Sequence, residues 1–332
     1  MSTIKDVARL AGVSVSTVSR YLNNHPYISG DKKARIQKAM SDLDYAQNPT
    51  ATLLRSKKSN FIGVLVSRIS NPFFTALVDT IEQSARAINY NIIMMQTHDD
   101  KSAETRMLDL LKQGVLAGVI MCAIESDISE IEPYLKYGPI VLCNIKVESS
   151  SIPQIYTDQG EITYNTIKYF NTKGYRKFAY CTGGSLANKS HGNMRNKAFE
   201  QAIDDLNLEL RKDWIFNNTH TIEDGEHVAD KIIKLPVNCR PKIVFSNSDE
   251  VASGILKKLQ QHRLKIPQDI AIIGFDNQPY SEILSVPLTT IEQPIHGLGN
   301  EALHLIHSLI KNEQYEVDYQ KLEMKLLVRD ST

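Results

Sequence analysis

Seven short apolar runs between Phe61 and Phe275 constrain the fold more than any other feature. They are FIGVLV (61–66), NIIMMQ (91–96), GVIMCA (118–123), IVLCNI (140–145), FAYCTG (178–183), KIVFSN (242–247) and IAIIGF (270–275). Such runs suit strands covered on both faces. Between most of them lie helical patterns such as FFTALVDTIEQSARAI and YNTIKYFNTKG. Strand and helix in alternation imply α/β architecture, with parallel sheets and helices on both faces. The units are too many for one modest sheet. Two similar doubly wound halves are expected, roughly 61–159 and 160–288. The strand-like TTIEQP (289–294) and the helical pattern after it are expected to cross back to the first half. LEMKLLVRD then returns to the second half, which gives subdomains of about 61–159 plus 290–320 and about 160–289 plus 321–330.

The first sixty residues differ in kind. They hold ten Lys or Arg, four Asp and no Glu, a net charge of +6 in a chain that is neutral overall, so the remainder carries −6. A basic head on an acidic body points to a polyanion partner for the head alone. Thr3 followed by Asp6 resembles a capping box, and Ile4, Val7, Ala8 and Ala11 form the apolar stripe of a short helix. Gly12 ends it, and Val13 packs inward. Ser14 caps a second helix, Val15 to about Asn23, with Val18 and Leu22 inward. Ser29 is placed to cap a third helix, with Ile36, Met40 and Leu43 on its inner face. Two short helices about a glycine turn, backed by a third, form an all-α helix-turn-helix unit, expected over 1–47.

In that motif the second helix enters the major groove N-terminus first. Val15 suits a thymine methyl, Ser16 several base edges, and Arg20 the O6 and N7 of guanine. Thr3, Ser14, Thr17, Ser19 and Asn23 suit phosphate oxygens, which set register, and Lys5 is counted with these DNA-facing residues. Asn48-Pro49 stops the third helix region. A short helix, TATLLRSK, follows within a junction at 48–60.

The strings IKDVARLAGVSVSTVSRYLN and ISGDKKARIQKAMSDLDYAQNPTATLLRSKKSNFIGVLV resemble the head and hinge of the lactose/galactose-repressor (LacI/GalR) family, without a gap. Tyr21 and the Val15-Ser16 pair depart from relatives, so the operator sequence is not legible. The resemblance implies a hinge helix that orders on the operator and wedges a leucine into the minor groove; Leu54 matches it, with Ala51 beside it. It continues through SRISNPFF (67–74), Asp158, MRNKAF (194–199), SNSDEVASG (246–254), IIGFDNQPYSEILSVPLTTIEQP (272–294) and LVRDST. The fold it implies for 61–332 resembles the periplasmic sugar-binding proteins, with effector held between two subdomains.

Carried over by position, the effector-binding residues would be Asn71, Phe73, Phe74, Asp99, Arg195, Asp249, Asp276 and Gln293. Carboxylates, an Arg and an amide around aromatic rings suit a polyhydroxylated ligand. A mono- or disaccharide is the first expectation; a purine or sugar phosphate is the second. The resemblance also implies a repressor acting on palindromic double-stranded operator DNA as a homodimer. Only Ser331 and Thr332 follow LVRD, without the extra helix of tetrameric relatives.

Other function classes are less favoured. A solute-binding protein would not carry the basic head. A hydrolase or sugar kinase would need a coherent catalytic set, and neither a nucleophile elbow nor HExxH is present, so no enzyme activity and no catalytic residue are expected. Gly183-Gly184-Ser185 follows a strand without completing a phosphate-binding pattern. Glu301, His304 and His307 share a helical spacing but read as a solvated face, so no metal or cofactor is expected. Cys122, Cys143 and Cys181 sit in apolar runs and read as buried small hydrophobes, and Cys239 lacks zinc-ligand spacing to any of them. No apolar stretch long enough for a signal peptide or membrane span is apparent, so the cytoplasm is the expected location.

Overall fold

The computed structural model describes residues 2–22, 25–45, 59–98, 100–147, 150–186 and 194–332. The chain divides into two units, Met1–Ser59 and Asn60–Thr332.

In the first unit, helices α1 (Ile4–Ala11), α2 (Val15–Leu22) and α3 (Gly30–Asp42) follow the apolar pattern. Thr3 and Asp6 form the expected reciprocal cap: the Asp6 N–H donates to Thr3 Oγ1 at 3.4 Å and the Thr3 N–H to Asp6 Oδ2 at 3.0 Å. Gly12 stops α1 at φ 62°, a left-handed conformation in which a Cβ would be strained. The Thr17 N–H donates to Ser14 Oγ at 3.2 Å, as expected for a cap. Ser29 does not cap α3 with its side chain; only its carbonyl accepts, from the Lys33 N–H at 3.1 Å. Val7, Ala8, Ala11, Val18, Ile36 and Ala39 make the core, while Leu22, Met40 and Leu43 pack against it half-buried. Replacing Thr3 with Ala is expected to cost about 1 kcal/mol. Amide hydrogen exchange in α1 reads the loss; unchanged protection would show that the cap contributes little.

The second unit holds two sheets. Strands β1 (Phe61–Val66), β2 (Asn91–Gln96), β3 (Gly118–Met121), β4 (Ile140–Cys143) and β5 (Gln154–Ile155) build the first, in the order β2-β1-β3-β4-β5. Every pair in it is parallel. Strands β6 (Phe178–Cys181), β7 (Ile215–Phe216), β8 (Ile243–Phe245), β9 (Ala271–Asp276), β10 (Thr289–Glu292) and β11 (Lys325–Leu327) build the second, in the order β11-β10-β9-β8-β6-β7. Only β11 runs antiparallel. Helices α4 (Pro72–Ala87), α5 (Lys101–Lys112), α6 (Ile128–Ile131), α7 (Gln159–Thr172), α8 (Met194–Asp205), α9 (Ile222–Lys234), α10 (Asp249–Gln261) and α11 (Ile295–Lys311) complete the unit.

The period of two along a strand explains why both faces are covered. In β1, Ile62, Val64 and Val66 face one core with Leu77, Ile81 and Ile306. Leu65 faces the other, with Met107, Leu111 and Met121. The second sheet is likewise packed between two cores, with Val244 and Ile272 in one and Phe245 and Ile273 in the other. Cys122, Cys143 and Cys181 are free and buried within these cores.

One crossing differs from the sequence expectation. Residues 290–292 do not join the first half; β10 pairs with β9, Thr290 opposite Gly274, in the second sheet. The chain crosses only after Glu292, and α11 then packs Leu298, Ala302, Leu303 and Ile306 into the core of the first sheet. Strand pairing decides the assignment, because β10 finds an open edge of β9 before the helix begins. The two-residue strands β5 and β7 are too short to show periodicity in the sequence. No helix among the described residues is long and apolar enough to cross a membrane.

Candidate functional site

A cavity of about 480 Å³ lies in the second unit, lined from both halves. Its walls include the segment after β1 (Ser67, Arg68, Asn71), Asn144 after β4, residues after β6, β7 and β8, Asp276 at the end of β9, and Gln293 after β10. Open parallel sheets bind ligands at the carboxyl ends of their strands, since loops and helix N-termini gather there.

Asp276 ends β9 at φ 107°, followed by Asn277 at φ 50°. Two consecutive non-glycine residues in this region are strained, and such strain clusters where a side chain must be aimed. The Asp276 carboxylate is 7 % exposed and accepts from Gln293 Nε2 at 2.6 Å. Burial pushes its pKa up to about 7, against the Gln293 hydrogen bond and the Arg195 charge, which favour the ionised form. Arg195, in the first turn of α8, donates from Nη1 to the Asn247 carbonyl at 2.9 Å. Its guanidinium carbon lies 4.3 Å from the centre of the Phe275 ring, a cation–π contact. Gln293 Oε1 is buried and has no hydrogen-bond partner among the described residues.

Asn71 lines the cavity and also caps α4, accepting from the Phe73 N–H at 2.9 Å. Phe73 and Phe74 meet edge to face, centroids 5.2 Å apart. Phe73 belongs mainly to the core, 4 % exposed, whereas Phe74 is half-buried. Asp99 lies outside the described residues.

Asp249, expected at the cavity, is not on its wall. It is fully buried beneath the strand ends, where Oδ2 accepts from the Gln278 N–H at 2.6 Å and Oδ1 from Thr290 Oγ1 at 2.5 Å. Burial first, then the Asp276 charge, pushes its pKa up to about 8. Gly274 makes room for it: a Cβ there would lie 2.1 Å from Asp249 Oδ1. Asp249 thus ties α10 to β10 and the turn after β9.

The cavity also contains residues that the sequence reading did not single out. His220 and Asp224 enter from the start of α9, Asn247 and Glu250 from the start of α10. Burial works to raise the pKa of Asp224, but hydrogen bonds from the His220 and Thr221 N–H groups and the Thr221 hydroxyl win, leaving it below the usual range. Asn247 is locked by two hydrogen bonds with Thr219, 2.8 and 2.9 Å. The Thr221–Asp224 capping box was a visible signal for a helix start, though not for a cavity wall.

In the first unit, the outward face of α2 presents Val15, Ser16 and Arg20, all exposed, with Val15 at 41 % despite being apolar. Ser14 and Lys5 are exposed; Thr17 and Ser19 are half-buried. Asn23, Ala51 and Leu54 lie outside the described residues.

Of the helix face bearing Glu301, His304 and His307, only His304 is exposed as expected. Glu301 is fully buried and accepts from the Tyr315 hydroxyl, the Asp318 N–H and Lys321 Nζ, while His307 packs edge-on to Tyr90. Among the described residues no group of three or more His, Cys, Asp or Glu is placed to hold a metal ion.

Comparison with known proteins decides the kinship. Residues 3–48 match the model of the bacterial regulatory proteins of the lacI family, and residues 167–332 match a periplasmic binding protein-like domain. The NTD biosynthesis operon regulator NtdR of Bacillus subtilis (strain 168) is 38 % identical over the full length of both chains. The chain belongs to the LacI family. A LacI-family transcriptional regulator from Lactobacillus casei, solved with bound sucrose, is 34 % identical, covers 82 % of this chain and 99 % of its own, and superposes with a TM-score of 0.78. The repressor PurR of Vibrio campbellii is 30 % identical over 100 % of this chain and 98 % of its own. This LacI-family chain is accordingly a DNA-binding transcriptional regulator with a helix-turn-helix head and a periplasmic-binding-protein-like body of two parallel-sheet subdomains.

Proposed function

We propose that this regulator is a repressor whose operator affinity is set by a small polyhydroxylated molecule, a mono- or disaccharide, in the cavity of the second unit. The carrying observation is the convergence of Arg195, Asp276 and Gln293, from three separate elements, on one cavity of about 480 Å³. That volume lies in the range of small-molecule sites. An ionised carboxylate accepts from ligand hydroxyls, the guanidinium donates back, and Phe74 with the edge of Phe73 offers an apolar face. Sucrose bound to the Lactobacillus casei relative supports the ligand class. Asn71, Phe73, Phe74, Arg195, Asp276 and Gln293 are assigned to the effector. Residues 1–47 form the DNA-binding head, 48–60 the hinge with Ala51 and Leu54, and 61–332 the effector and dimerisation body.

Control arises because effector binds one of two states of the dimer more tightly, and operator the other. On the head, Val15, Ser16 and Arg20 read base edges, while Thr3, Lys5, Ser14, Thr17, Ser19 and Asn23 meet the backbone. Selection of duplexes from a random pool by the full-length protein is expected to return a palindrome, and titration with sugars is expected to change affinity for it. A pool that stays random would end this reading. Arg20→Ala is expected to lose preference at one guanine, costing about 1–3 kcal/mol on the selected site. Equal weakening on every sequence would reassign Arg20 to phosphate.

A further inference from the structure

The carboxylates around the cavity are not all partnered. Three carboxylates line it, Asp224, Glu250 and Asp276, against the guanidiniums of Arg68 and Arg195. Most of these groups are already engaged. Arg195 is held by the Asn247 carbonyl and the Phe275 ring. Asp224 is occupied in capping α9. Asp276 accepts from Gln293. Glu250 makes no hydrogen bond or ion pair among the described residues, and its charge is felt by Asp276 while it feels that of Asp224.

An independent observation points the same way. Gln293 Oε1 is an acceptor without a donor, on a side chain 7 % exposed that lines the same cavity. Gln293 and Glu250 thus present two acceptors to the cavity for which no donor is found among the described residues. The N-termini of α9 and α10 would by themselves favour an anion. Asp224 and Glu250 occupy those first turns and repel one. A neutral hydroxyl would satisfy Gln293 but leave the Glu250 charge uncompensated. An ammonium supplies both donors and charge, in the stronger, charge-assisted kind of hydrogen bond.

We propose that the effector is an amino sugar, its protonated amine on Glu250 and its hydroxyls on Gln293 and Asp276. This rests on the cavity being the effector site. Burial first, and the neighbouring Asp224 charge second, hold the Glu250 carboxyl above its usual pKa, so a bound cation relieves a repulsion already present.

Calorimetric titration of the full-length protein with glucose, galactose and mannose, with their 2-amino counterparts, and with the N-acetylated amines tests it. At least one amine is expected to bind roughly tenfold or more tightly than both its hydroxyl parent and its N-acetyl form. Glu250→Gln is expected to remove that difference. If a parent sugar binds and its amine binds no better, the amine subsite is overturned while the sugar-effector reading stands. An amine preference that survives Glu250→Gln overturns the assignment to Glu250. If no compound in the panel binds, the amino-sugar assignment falls, and titration with disaccharides such as sucrose decides the broader sugar reading.

Discussion

Replacing Arg195 with Ala is expected to weaken effector binding by roughly 10- to 150-fold while leaving the fold intact. The guanidinium sits over Phe275 and against the Asn247 carbonyl, so it is oriented before ligand arrives. Losing a hydrogen bond from a charged donor costs about 1.5–3 kcal/mol, and each 1.4 kcal/mol is about tenfold. Two effects add here. The ligand loses a fork of donors, and Asp276 loses a charge that favours its ionised form. With its pKa already at about 7, Asp276 then holds its proton at neutral pH and offers one fewer acceptor. Affinity of the variant is therefore expected to recover partly as pH rises through 7 to 9, whereas that of the unaltered protein flattens earlier. Calorimetry across this range with the neutral sugar that binds best, whose own charge does not change, reads both changes. A loss of less than about threefold would remove Arg195 from the site.

Gly254→Ala is expected to destabilise the second unit by about 2 kcal/mol. Helices α9 and α10 cross at paired glycines. A Cβ on Gly254 would lie 1.9 Å from the Ile222 carbonyl oxygen, and one on Gly225 would lie 2.1 Å from that of Val251. Backbone cannot rotate aside as a side chain can, so the helices must separate. Val228, Ile232, Val251 and Ile255 then lose packing. Overpacking costs about 1–3 kcal/mol or more, and the higher helix propensity of Ala returns about 1 kcal/mol at most. The close crossing has a functional consequence, because both helices begin at the cavity: α9 brings Asp224 and α10 brings Glu250. A melting temperature lower by roughly 4–8 °C is expected. Gly184→Ala, where a Cβ would meet nothing within 4 Å, is the control. Equal melting of the two variants would show that the crossing yields easily.

Much of the site was legible for a specific reason. A strand's apolar run ends where the chain reaches the sheet's rim, so polar residues after FIGVLV and IIGF are placed near a cleft by topology alone. Asn71, Arg195, Asp276 and Gln293, expected in this way or through the family pattern, all line the cavity. Asp249 and Glu250 show the limit. Adjacent residues in a helix point about 100° apart. Both acids follow β8 and both suit a ligand, yet Asp249 turns inward to Thr290 and Gln278 while Glu250 turns to the cavity. His220 and Asp224 escaped notice because β7, which precedes them, is two residues long and has no period to read.

Local patterns in the chain settled the caps of α1 and α2, the glycine turn of the head and the alternation of strand and helix in the body, since each depends on residues only a few positions apart. Tertiary packing alone decided that β10 stays with the second sheet, that Asp249 turns away from the cavity wall, and that Asp224, Glu250 and Asp276 share one cavity. Those outcomes depend on groups tens of residues apart competing for the same edge or volume, and periodicity along the chain records which way a side chain faces, not what it meets.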